Sequence, residues 1–177
     1  MALEALFVEF VPGQDRLLFR VHYDGTGEMA YWFTRRLVKR FWPVLLKLAE
    51  APPDIRVQSE PARRALVEMR HQEALSGLKF AGAPEAQVKE AQPKRRAAGE
   101  PVVITGIRSG RRPDGRTLLT LSQDEGPSWD LVLNDDLLHG VIELIRKAVA
   151  VAEWDVQLEL PRAGFTSPTG GPPGASN

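Results

Sequence analysis

Residues 16–50, RLLFRVHYDGTGEMAYWFTRRLVKRFWPVLLKLAE, can be laid without a gap over residues 116–150, RTLLTLSQDEGPSWDLVLNDDLLHGVIELIRKAVA. The offset is 100 throughout. Arg16, Leu18, Asp24, Leu37 and Lys47 meet Arg116, Leu118, Asp124, Leu137 and Lys147, but the pattern matters more than these few identities. Before the turn, Phe19 and Val21 alternate with Arg20 and His22, as Leu119 and Leu121 do with Thr120 and Ser122. Alternation of this kind is the mark of a strand with one buried face. After turns of equal length, Met29, Tyr31 and Phe33 share one face, matched by Trp129, Leu131 and Leu133.

Thr34 and Asn134 follow, and each can accept a hydrogen bond from the free amides of a first helical turn. Beyond them the apolar residues change to a period of 3.6: Leu37, Val38, Phe41, Trp42, Leu45 and Leu48 against Leu137, Leu138, Val141, Ile142, Ile145 and Ala148. The spacing predicts helices over 35–50 and 135–150, each lying on a sheet, with Pro43 kinking the first. Earlier strands at 3–11 and 102–109 and later ones at 54–58 and 155–160 complete two strand-strand-strand-helix-strand units. The expected fold is therefore α+β: two pseudo-repeated units forming antiparallel sheet packed with helices, plus an inserted helix between them.

The organisation expected is a single compact domain. Its parts are a first unit at 1–58, the inserted helix at 59–78, a basic linker at 79–100 and a second unit at 101–160. A Gly/Pro/Ser-rich tail runs over 161–177. Ser59-Glu60-Pro61 opens the inserted helix in the manner of a capped N-terminus with proline in its first turn. The linker carries Lys94-Arg95-Arg96.

With no cysteine among 177 residues, disulfides, thiolate nucleophiles and cysteine-ligated metals are excluded. Glu4 and Glu9 stand where a signal peptide needs a basic start and a longer apolar run, so a cytoplasmic, non-membrane location is expected. Net charge is zero, although residues 61–100 hold 8 Lys/Arg against 5 Asp/Glu and residues 101–177 hold 7 against 10. Only local patches can argue for a charged partner.

The two copies differ most where their helices begin. The second has Asp135 and Asp136, which the positive end of the helix dipole favours; the first has Arg35 and Arg36, extended by Lys39 and Arg40. Guanidinium groups beside free amides form an anion site, unless they only meet water or pair with Glu28, Glu50 or the acidic second copy. Arg20, His22 and Trp32 fall on the sheet face away from the helix. Trp32 there either stacks a base or packs against protein. Asp135 and His139 share a helical ridge without a visible third metal ligand and are expected as a surface pair, and His71 is expected on a helix surface. No metalloprotease, serine-hydrolase or phosphate-loop motif is present.

In element order, strands then a helix in two copies resembles the PUR-repeat and Whirly single-strand binders. Strands, two helices, three strands and a further helix resembles the head domain of the end-joining scaffold family. These are analogies of order and transfer no residue. The function expected is a non-enzymatic module for protein interaction or self-association, without a cofactor. The alternative is a module for single-stranded nucleic acid or phosphate anions, using Arg20, Trp32, Arg35, Arg36, Lys39 and Arg40.

Overall fold

A computed structural model describes residues 3–23, 27–77 and 99–160. The tail, the linker up to residue 98 and most of the 24–27 turn lie outside them. Among the described residues the architecture is α+β, two sheets packed with four helices. β1 (Leu3–Val11), β2 (Arg16–Tyr23), β3 (Gly27–Thr34) and β4 (Val102–Ile104) form one sheet in that order. β5 (Gly106–Arg111), β6 (Thr117–Ser122) and β7 (Ser128–Leu133) form the other. The helices are α1 (Arg35–Ala49), α2 (Pro53–Arg56), α3 (Glu60–Gly77) and α4 (Asp135–Ala152).

Both α1 and α4 start at their expected caps. Thr34 Oγ1 accepts from the Leu37 amide at 3.2 Å and Asn134 Oδ1 from the Leu137 amide at 2.8 Å. Thr34→Ala and Asn134→Ala should each lower stability by about 1 kcal/mol in denaturant titrations, since each leaves a first-turn amide without its acceptor. α1 continues through Pro43, which sits on its exposed side.

The inner sheet faces are those the alternation selects. Leu17, Phe19, Val21, Tyr31 and Phe33 are buried from the first sheet, and Leu119, Leu121, Leu131 and Leu133 from the second. Phe19 stacks on Phe33 at 5.0 Å, and Phe33 meets Phe41 of α1 edge-on at 6.3 Å. Tyr31 and Trp129 join the two sheets with ring centroids 5.5 Å apart. α4 is the central helix, packed against α3, α1 and β1, with Leu138, Val141, Ile142, Ile145 and Val149 buried. Leu137 is only half-buried, at the core's margin. Beyond α4, Trp154 donates from Nε1 to Asp15 Oδ1 at 2.7 Å and stands edge-on to Phe10.

Three expectations about strands are corrected. The single strand expected at 102–109 is two strands in different sheets. β4 pairs in parallel with β3, Val103 opposite Trp32, and the chain then crosses at Thr105 to pair β5 antiparallel with β6. Gly106 permits the crossing, because a Cβ there would lie 2.7 Å from Ser122 Oγ, which itself donates to the Gly106 carbonyl. The strand expected at 54–58 is instead α2 and the turn after it. Pro53 has the fixed φ of a first helical residue, Ile55 alone plugs the core, and Val57 is 74% exposed. At 155–160 the alternation survives, with Val156, Leu158 and Leu160 turned to the core, but no ladder forms. The closing strand of each expected unit is therefore absent.

Candidate functional site

The residues singled out from the sequence separate into distinct places. Arg20 lies on the outer face of the four-stranded sheet between two carboxylates, Glu9 at 3.4 Å and Glu28 at 3.8 Å, with its guanidinium over the Phe7 ring at 5.5 Å. His22 is buried beside it, its Nε2 2.6 Å from Glu28. The positive charge of Arg20 is thus already matched. Trp32 shares the outer face one row away, in register with Leu18 on β2 and Val103 on β4. Leu18, Trp32 and Val103, together with Phe7, are half-buried and stand outside the hydrophobic core.

Arg35, Arg36, Lys39 and Arg40 are exposed on α1, a helix whose Phe41 packs on the inner face of the sheet. Arg20 pairs with Ala30, four positions before Thr34, and points the other way. Four residues of strand, about 13 Å, therefore separate it from the helix start. None of the four α1 cations forms an ion pair with a described residue. Glu28 is held by Arg20 and His22, while Asp135 of the second copy is held by Arg70 at 4.0 Å and Arg111 at 3.7 Å.

Sequence reasoning missed a polar cluster between α3 and α4. His71 and His139, expected at helix surfaces, are 2% and 3% exposed. Their Nδ1 atoms are 3.3 Å apart, and His71 Nε2 is 3.4 Å from Glu143 Oε2. Glu143 accepts two hydrogen bonds from Arg146, at 2.8 and 2.7 Å, and lies 3.8 Å from Lys147. With both rings neutral, His139 Nδ1 donates to His71 Nδ1 and His71 Nε2 donates to Glu143, which satisfies every contact. The missed signal was the ridge Val67-His71-Ala74, at i, i+4 and i+7, the buried stripe of α3.

Burial lowers the His71 pKa, against the Glu143 hydrogen bond and charge that raise it. His139 is pushed down to about 4, first by burial and then by His71, with Arg70 adding and Asp136 opposing. Burial raises Glu143, but Arg146, Lys147 and His71 outweigh it and hold the carboxyl below its ordinary range. Above the cluster opens a cleft of about 1080 Å³, walled by Arg63, Arg64, Glu68 and Gln72. Arg64 pairs with Glu60, and Arg63 donates to the Gln58 carbonyl. Among the described residues no group of three or more His, Asp or Glu is arranged to hold a metal ion.

No family model matches the chain, and neither curated proteins nor solved structures give a significant match, so the likenesses of element order stay analogies. Among the described residues, no helix is long and apolar enough to cross a membrane.

Proposed function

We propose that this chain is a non-enzymatic interaction module that docks protein, a partner chain or a second copy of itself, on the outer face of its four-stranded sheet. The observation that carries this reading is the row Leu18-Trp32-Val103, with Phe7 beside it, standing outside the core on the face opposite the one α1 packs against. Tryptophan is among the residues most enriched at the energetic centres of protein interfaces. Glu9, Arg20 and Glu28 are already paired among themselves and form a charged flank of the kind that surrounds such anchors. The groups capable of acid–base chemistry, His71, His139 and Glu143, are buried and committed to one another, which favours a structural role for them.

Trp32→Ala and Leu18→Ser test the reading. Wild type should show concentration-dependent association in sedimentation velocity or capture a defined partner from its host. Both variants should lose that behaviour while keeping the wild-type circular dichroism. Variants that associate and capture as wild type does would remove the sheet face from consideration.

A further inference from the structure

The exposed residues of α1 are Arg35, Arg36, Lys39, Arg40, Pro43 and Lys47. Five cations and one proline are thus the fully exposed residues of a 15-residue helix, with no acidic residue among them. Arg36, Arg40, Pro43 and Lys47 follow one another at i, i+4, i+7 and i+11, a stripe about 16 Å long at 1.5 Å rise per residue. Arg35 and Lys39 form a second, parallel ridge. The arrangement opposes helix stability twice, through like charges at i,i+4 and through cations at the positive end of the dipole. Elsewhere most described arginines hold carboxylates, namely Arg20, Arg64, Arg70, Arg111, Arg112, Arg116 and Arg146, while Arg16, Arg56, Arg63 and Arg108 are scattered singly rather than gathered on one helix. On α1 no described carboxylate does so.

We infer that this stripe binds the phosphate backbone of nucleic acid, read by charge and without base contacts. What the stripe lacks decides the partner. A peptide or protein helix would need apolar anchors to bury, and none is exposed on this side. Insertion at a lipid surface would need Trp, Phe or Leu projecting from the same face, whereas Leu37, Phe41, Trp42 and Leu45 are buried in the core and the half-buried Val44, Leu46 and Leu48 are packed against it. A phosphate backbone requires only ordered positive charge and counterion release. Base stacking is not part of the inference, because Trp32 lies on the outer sheet face and Arg20 is held by two carboxylates. This surface differs from the sheet face proposed for protein docking, so either can fail without the other.

The test is fluorescence anisotropy of a labelled duplex of about 20 base pairs and arbitrary sequence, and of one of its strands, titrated with the full chain. Both should bind, the duplex more tightly. With four to five phosphates engaged, affinity should fall about 10²-fold between roughly 50 and 200 mM salt. Lys39→Glu with Arg40→Glu should weaken binding at least about tenfold at low salt and reduce the logarithmic salt slope by nearly 2. Arg35→Asp with Arg36→Asp should do the same with an unchanged or higher unfolding midpoint, since the dipole favours the new charges; this keeps the test open if the other pair folds poorly. Arg108→Glu, an exposed position on β5, is the control and should have no effect. The inference is overturned if neither nucleic acid binds at low salt, or if Arg108→Glu is as damaging as the α1 pairs. It is also overturned if polyglutamate competes as well as duplex at equal charge, which would assign the stripe to an acidic protein.

Discussion

Phe41→Ala should lower the unfolding free energy by about 3–5 kcal/mol, the cost of deleting a buried aromatic ring and leaving a cavity that neighbouring elements cannot fill. Phe41 is 4% exposed and ends a chain of rings, Phe19 on Phe33 and Phe33 on Phe41, that binds β2, β3 and α1 into one unit. Its neighbour Arg40 projects to solvent from the same turn. Arg40→Ala should change stability by less than about 0.5 kcal/mol, or raise it by relieving repulsion from Arg36. Equilibrium urea unfolding of the two variants measures the contrast. Equal effects would mean that α1 presents a different face to the core.

Acidification from pH 7 to pH 4 should cost on the order of 3 kcal/mol of stability through the buried His71–His139 pair, chiefly through His139. In the unfolded chain this ring takes up a proton near its ordinary value of 6.5, whereas in the folded protein it does so only at about 4. Between those values the unfolded state binds the proton that the folded state refuses, so acid favours unfolding. The contribution is complete above pH 6.5 and is lost as pH falls toward 4. His71, also lowered, acts in the same direction, and Glu143, held below its ordinary range, extends the loss to still lower pH. Asp136 opposes the His139 shift and Arg70 reinforces it. His139→Asn keeps a donor near the His71 Nδ1 atom and removes the titration, so its stability should change less between pH 7 and pH 4. Urea midpoints at pH 7, 6, 5 and 4 for both proteins decide the matter; parallel curves would show that His139 is not the group responsible.

The sheet face and the α1 stripe place two unlike surfaces on one body. One is apolar with paired charges around it, and the other is dominated by cations, with Pro43 as its only other fully exposed residue. A module that holds a protein on one side and a polyanion on the other needs only such a body. If both proposals hold, a binding assay with both partners present would show whether the two surfaces act independently.

By itself the sequence determined the elements whose evidence is local. Thr34 and Asn134 begin their helices because a side-chain acceptor three residues before an amide is a property of adjacent residues. The inner faces of β2, β3, β6 and β7 follow the alternation because a period of 2 assigns sides whatever the partner. The basic side of α1 was equally readable, since cations at i and i+4 share a ridge in any helix. Only the tertiary structure decided matters of partnership. Val102–Ile104 and Gly106–Arg111 look like one strand until β3 and β6 compete for them and Gly106 lets the chain change sheets. Val156, Leu158 and Leu160 have the right alternation but pair with no strand among the described residues. His71 and His139 lie 68 positions apart, and each reads as a surface histidine alone. Burial is tolerable because each satisfies the other and Glu143 satisfies His71, an arrangement created when α3 docks on α4. Arg20, likewise, reads as a free cation until strand pairing brings Glu9 and Glu28 to its sides.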